Sequence, residues 1–329
     1  MRVAVSPLVL LVLLLVLAGC GTPSLLITPV SNTSRLQEVD VSPAGTRRGG
    51  AKIAVIEIEG ILINARRGGF LQPTENKLSL FTQQLDRARA DGRVKAVVLR
   101  INSPGGTVTC SDTMYEMIRR FRAQTGKPVV ASTQEVCASG AYYVACGADA
   151  IVAQPTSVVG SIGVIFNTFD FSGTMAKLGI RSEAITSGEL KDMASPLKPL
   201  DPAARAVMQG MINEYHGRFV GVVTGNRRQL NSDPQRVKLA TDGRVFSGQQ
   251  ALAMGLVDQL GSLEDAIALA RQLSGARDAR IVMYKRPYGY SGSIYADQST
   301  PVPRAGVLTI ELPEIEAFLP RGFYYLWTP

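Results

Sequence analysis

Histidine is all but missing: His216 is the single one in 329 residues. A serine hydrolase built on an imidazole base would have to use that residue, which lies in an unrelated helical pattern. Cysteine is also sparse, at four, with no CxxC pair, so a metal site assembled from clustered His and Cys ligands is excluded. Aromatic residues make up 6% and charged residues 19% of the chain, an ordinary globular composition rather than a disordered or fibrous one. Lys and Arg outnumber Asp and Glu by 35 to 27, for a formal charge of +8. The basic residues are scattered and no aromatic-basic stripe accompanies them, which argues against a nucleic-acid partner. The excess fits solubility or a mildly basic face near anionic lipid. What the chain does have is apolar residues, 46% of the total, enough to fill a sizeable core.

The opening "MRVAVSPLVLLVLLLVLAGC" carries one Arg and an apolar run that is short for a membrane span, then small residues ending in Cys20. That is the layout of an export signal. Its end resembles the lipobox of bacterial lipoproteins, which implies lipidation of Cys20 and a folded part held at the extracytoplasmic face of a bacterial membrane. Residues 1–19 then read as the signal and residues 20–50, rich in Ser, Thr, Pro and Gly, as a tether. Setting Cys20 aside leaves Cys110, Cys137 and Cys146, an odd number, for which buried free thiols are the simplest reading.

From Lys52 the pattern becomes regular. "KIAVIEIEG", "KAVVLRI", "KPVVAS", "DAIVA" and "GSIGVIF" read as strands. Between them lie helical patterns carrying Leu78, Phe81, Leu85 and Ala88, and then Met114, Met117, Ile118 and Phe121. The second of these helices is expected to begin near Ser111. "GTMAKLGI" reads as a helix leading into a strand, and longer helices are expected over 202–225 and 262–274. The alternation predicts an α/β fold of βαβ units, a parallel sheet flanked by helices. A domain over 51–278 is followed by an extension, 279–329, ending in "LPRGFYYLWTP", an aromatic tail that should bury against something.

Functional groups in such folds gather at the carboxyl ends of strands. Two stretches end there. "RINSPGGTV" places Gly105 and Gly106 between strand and helix, where amides without a neighbouring Cβ can face an anion; a tight turn explains them equally well. "CASGAYY" places Ser139 at a helix start, followed by Gly140; an ordinary N-cap serine looks the same. Taken together, Ser139 is a nucleophile candidate, and the Gly106 and Gly140 amides can form an oxyanion hole, each donor contributing roughly 3 kcal/mol to an acyl-transfer transition state. The base must then be a neutral lysine. At pH 7 only about one unperturbed lysine in a few thousand is neutral, but burial lowers the pKa by up to roughly 3–5 pH units. "SGELKDMASP" offers Lys191 and "VVGSIGV" offers Ser161 as a hydroxyl to aim it, while Lys127, Lys177 and Lys198 remain available on residue type alone.

The ordered set "RINSPGG", "ASGAYYVA", "PTSVVGSIGV", "KLGI", "SGELKDMASP" and "GRVFSGQQALAMGLVD" resembles the bacterial signal peptide peptidase A family, from about Lys52 to Gly261. The resemblance implies the ClpP/crotonase-like fold, Ser139 as nucleophile, Lys191 as general base and Ser161 as the hydroxyl orienting it. It implies a serine peptidase acting on remnant signal peptides and other apolar unfolded segments, with no cofactor. A single copy of the domain resembles the family's short form, a homo-oligomer whose serine and lysine come from neighbouring subunits. Two positions depart from the family pattern: Ala141 stands where a second glycine is usual, and Leu190 precedes the lysine. Tyr142 and Tyr143 can line a groove or pack in the core. Rival readings are a crotonase-type acyl-CoA enzyme and a catalytically inactive, lipid-anchored peptide-binding scaffold on the same fold.

Overall fold

A computed structural model describes residues 36–43, 50–65, 76–286 and 322–328. The expected signal segment, Cys20 and most of the expected tether lie outside the described residues. In chain order the elements are β1 Gln37–Asp40, β2 Lys52–Glu59, α1 Lys77–Ala90, β3 Val94–Ser103, β4 Gly105–Thr107, α2 Val108–Thr125, β5 Val129–Ala138 and α3 Gly140–Ala145. Then come β6 Ala150–Ala153, β7 Val158–Gly160, α4 Ser172–Lys177, α5 Pro202–Asn226, α6 Arg228–Asn231, α7 Pro234–Ala240, β8 Val245–Ser247 and α8 Gly248–Met254. The last are β9 Gln259–Leu260, α9 Leu263–Leu273, β10 Arg280–Lys285 and β11 Tyr324–Leu326.

A nine-stranded sheet runs β1-β10-β2-β3-β5-β6-β9, with β7 beside the far half of β5 and β8 beside β7. All its pairings are parallel except β1 on β10 and β8 on β7. The central strands β2, β3 and β5 are buried on both faces, which is why they read as near-continuous Val, Ile and Leu. On one face Phe81, Leu85 and Ala88 of α1 and Met114, Ile118 and Phe121 of α2 pack over Ile56, Val97 and Leu99. On the other, Leu263, Ala266, Ile267 and Ala270 of α9 cover Ile53, Val55, Ala96 and Val98. The expected α/β architecture is therefore what the chain forms. The sheet draws on residues either side of 51–278, through β1 and β10.

Three local expectations are corrected. The second of the expected helices begins at Val108, not near Ser111. "GSIGVIF" does not continue as a strand: Gly160 at φ 103° and Ser161 at φ 52° turn the chain after β7, leaving Ile165 an isolated bridge to Tyr324. The strand expected directly after α4 does not form, and residues 178–191 are exposed. The aromatic tail does bury, Tyr324, Tyr325 and Leu326 pairing as β11 with β4 in a separate two-stranded sheet.

Candidate active site

β5 ends at Ala138, α3 begins at Gly140, and Ser139 forms the whole connection. Its backbone sits at φ 52°, ψ −118°, a conformation an L residue rarely adopts. Such strain on a strand-to-helix turn presents a side chain away from both elements, as nucleophile turns do. The turn is held because the Ser139 N–H donates to the Gly160 carbonyl at 2.6 Å and the Tyr143 N–H donates to the Ser139 carbonyl at 2.9 Å. Ser139 is 1% exposed, and its Oγ has no hydrogen-bond partner among the described residues. A buried hydroxyl left unpaired costs roughly 1–3 kcal/mol. Helix α3 has no side-chain cap bond at Ser139.

The glycine pair lies beside it. On one edge of β4 the Leu62 N–H donates to the Gly105 carbonyl (2.8 Å) and the Thr107 N–H donates to the Leu62 carbonyl (2.9 Å). That leaves the Gly106 N–H and carbonyl facing the opposite edge. A Cβ on Gly106 would lie 1.9 Å from the Leu62 carbonyl oxygen, so only glycine lets the two backbones close. A Cβ on Gly140 would lie 3.1 Å from the Gly106 amide nitrogen and 2.3 Å from Ser111 Oγ. The expected oxyanion residues Gly106 and Gly140 are thus brought to one corner, next to Ser139.

Ser161 repeats the backbone of Ser139, at φ 52°, and is 7% exposed. Its N–H donates to the Arg244 carbonyl at 2.7 Å, and β7 pairs with β8, so "GRVFSG" clamps the turn that carries it. Among the described residues no hydrogen bond or ion pair joins the Lys191 side chain to these groups. It is exposed, in a turn closed by its own N–H on the Gly188 carbonyl (3.1 Å). The surrounding segment is unusually apolar for a surface: Phe169, Phe171, Leu178, Ile180, Ile185, Leu190 and Leu197 are all exposed. His216 is accounted for by its ring Nε2, bonded to the Thr241 carbonyl at 2.9 Å.

Tyr142 and Tyr143 are both fully buried, and Ala141 lies beside them in the core. The Tyr142 hydroxyl donates to the Leu256 carbonyl (2.7 Å) and that of Tyr143 to Asp112 (2.6 Å). Burial first, and then that acidic partner, push the Tyr143 hydroxyl far above its ordinary value. Three supporting residues were not anticipated. Asn102 accepts the Val136 N–H, Ser103 Oγ accepts the Gly105 N–H (3.1 Å) while donating to the Gly60 carbonyl (2.7 Å), and Ser111 Oγ donates to the Thr107 carbonyl (3.0 Å). The first two lie inside "RINSPGG", where polar residues at the end of a buried strand were the available signal.

Several known proteins resemble this chain. The model for peptidase family S49 matches residues 122–277, and that for Clp protease matches residues 54–159. A Methanocaldococcus jannaschii protein that carries a protease name is 37% identical over 238 residues, 72% of this chain and 75% of the other. An Enterococcus faecium protein that carries the name signal peptide peptidase SppA is 33% identical over 234 residues, 71% of this chain and 67% of the other. Protease 4 of Salmonella typhi is 34% identical over 246 residues, 74% of this chain but 38% of its own length.

Proposed function

This chain belongs to peptidase family S49 and is a serine peptidase with a ClpP-like α/β fold; from that premise we propose that Ser139 is its nucleophile and Lys191 of a neighbouring copy its general base. The observation that carries the reading is the buried, unpaired Oγ of Ser139 on a strained turn, beside the convergent Gly106 and Gly140 amides. Neutral Lys191 takes the proton of Ser139, and Oγ attacks the scissile carbonyl. The two amides hold the resulting oxyanion. The protonated amine then passes its proton to the leaving nitrogen as the peptide bond breaks and an acyl-enzyme remains. Water, deprotonated by the same amine, releases the acyl group and restores Ser139. Ser161, as a positioning residue, orients the lysine.

Supply of Lys191 from a second copy is supported by its exposure and by the apolar side chains around it, from Phe169 to Leu197. An exposed apolar segment of this size marks a surface that a partner covers. Covering it would also dry the lysine, which favours the neutral amine. Lipidation at Cys20 would hold the assembly at the extracytoplasmic face of the membrane, where remnant signal peptides and other apolar unfolded segments are the substrates. The name of the Enterococcus relative and the lipobox-like end of the first twenty residues support that placement.

The test is hydrolysis of a short apolar peptide ester by wild type, Ser139→Ala, Lys191→Ala and an equal mixture of the two variants. Each variant is expected to be inactive and the mixture to recover part of the rate, because some sites pair an intact serine with an intact lysine. A wild-type rate in Lys191→Ala would remove that residue as the base. Recovery absent from a mixture that assembles normally would remove the shared site.

A further inference from the structure

Strand β5 changes partner part-way along. Val130–Thr133 pair with Ala150–Ala153 of β6, whereas the last three residues, Val136–Ala138, pair with Val158–Gly160 of β7. On the other edge β5 stays with β3, but the register slips between the pairs Ile101–Thr133 and Ser103–Cys137. A single β3 residue, Asn102, therefore spans three residues of β5, Gln134, Glu135 and Val136, and β5 carries a bulge with two extra residues. An even number keeps the alternation of faces: Ala131 before the bulge and Cys137 after it belong to the same core cluster. The bulge also shortens the strand's advance. An unbroken ladder would set Cys137 level with Gly105 and carry Ser139 two positions, about 6–7 Å, past the level it holds. Instead Ser139 comes level with Gly105, on which a Cβ would lie 2.6 Å from the Gly140 amide nitrogen and 3.1 Å from the Ala138 carbonyl oxygen.

A bulge takes backbone groups out of the ladder, and here side chains from both neighbouring segments receive them. Asn102 Oδ1 accepts the Val136 N–H at 3.1 Å. The Asn102 carbonyl accepts the Gly60 N–H at 3.0 Å, so the residue is itself pinned to the chain leaving β2. From the opposite edge Ser157, 1% exposed, donates its hydroxyl to the Gln134 carbonyl and accepts that of the buried Thr133 at 2.7 Å. We propose that Asn102 and Ser157 are positioning residues for the reaction: they hold the bulge over Gln134–Val136, and through it the level of Ser139 against the Gly106 and Gly140 amides. The inference rests on the nucleophile and oxyanion roles proposed above. Both residues act through the strand that ends in the nucleophile turn. The leverage is large, because a displacement of about 1 Å at the reacting atoms costs about a hundredfold in rate.

The experiment uses the full chain, a short apolar peptide ester, and a fluorophosphonate that labels Ser139, with urea unfolding to follow the fold. Asn102→Leu keeps the size of the side chain and removes its acceptor, Asn102→Asp keeps the acceptor, and Ser157→Ala removes the donor. In Asn102→Leu and Ser157→Ala kcat is expected to fall roughly 10- to 100-fold with KM within about twofold of wild type. Asn102→Asp is expected to stay within about threefold of wild type in kcat, since the Val136 N–H keeps its partner. Each slow variant is then combined with Gly140→Ala, and the two losses are expected to fall well short of additive, because both spoil the same fit between Ser139 and the amides. Wild-type kcat in Ser157→Ala or in a folded Asn102→Leu would overturn the proposal. So would an Asn102→Asp as slow as Asn102→Leu, or fully additive losses, which mark a purely structural role. With wild type labelled normally, each of these failures leaves the nucleophile standing. Absence of both labelling and cleavage in wild type would overturn the proposed function, and this inference with it.

Discussion

The amide of Ser139 donates to the carbonyl of Gly160 at 2.6 Å, and that bond ties the turn of the proposed nucleophile to the turn of Ser161, the next residue. Both serines hold φ 52°. Two strained turns fixed to each other keep two hydroxyls in register without either hydroxyl spending a hydrogen bond on structure. The proposed chemistry needs that separation, since a nucleophile already bonded to its own backbone would be slow to attack.

Strain at Ser139 predicts a stability difference between two inactive variants. Ser139→Ala keeps the Cβ in an unfavourable conformation, whereas Ser139→Gly removes it. The glycine variant is expected to unfold at higher denaturant than the alanine variant by about 1 kcal/mol, part of the relief being lost to its freer unfolded chain. Equal midpoints in urea, with equal slopes, would show that the turn is not strained.

Gly140 predicts a rescue. An alanine there would meet Ser111 Oγ at 2.3 Å, the end of a small side chain, and Tyr325 carbonyl oxygen at 3.0 Å. Gly140→Ala is expected to lower kcat roughly 10²–10³-fold by displacing an oxyanion donor. Ser111→Ala alone should change little, since it loses only the bond to the Thr107 carbonyl. The double variant is expected to regain part of the rate, a coupling that a double-mutant cycle measures directly.

Much of the fold was legible in the sequence because parallel strands buried on both faces must be runs of apolar residues, as "KIAVIEIE" and "KAVVLRI" are. Ser139, Gly106 and Gly140 were legible because small residues at strand ends carry a local signal, and the structure does bring them together. The bend at Ser161 was not, since "GSIGVIF" has a strand's composition and the turn depends on a bond from Ser161 to Arg244, far along the chain. The seat of the tail was equally hidden. "GFYYLW" announces burial, but its pairing with Gly105–Thr107 joins two segments from distant parts of the sequence, and no local pattern encodes a register of that kind.

The remaining cysteines predict a silent thiol titration. Cys110, Cys137 and Cys146 are free and buried. Burial pushes the Cys110 and Cys146 thiols up to about 11 and Cys137 higher still. At pH 8 a thiol of that kind is ionised in about one molecule in a thousand, and the thiolate is the reactive form. Iodoacetamide followed by peptide mapping is expected to leave all three unmodified in the native protein and to modify all three in guanidinium. Rapid native labelling at Cys137 would mean that β5 opens easily.

The clearest pH dependence of stability sits far from the site, at Lys52. That ammonium is 1% exposed and lies between Glu38 (2.6 Å) and Asp91 (2.7 Å), where it fastens the start of β2 to the end of α1. Burial pushes the Asp91 carboxyl up. Hydrogen bonds from Lys52 and from the Arg93 backbone and side chain, together with the Lys52 charge, outweigh burial and hold it well below the ordinary 3.8. A carboxyl depressed in the folded state binds its proton more readily when unfolded, so stability rises with pH through this range. The contribution is complete above about pH 5 and fades as pH falls through the unfolded value toward the folded one. Asp91→Asn should remove it, costing about 1 kcal/mol at pH 7, below the usual range for a charged hydrogen bond because Asp91 is partly exposed. The stability curves of wild type and of Asp91→Asn, measured by urea unfolding from pH 7 to pH 2, are expected to converge at the acid end. A gap between the two that stays constant to pH 2 would show that the carboxylate contributes by shape rather than by charge.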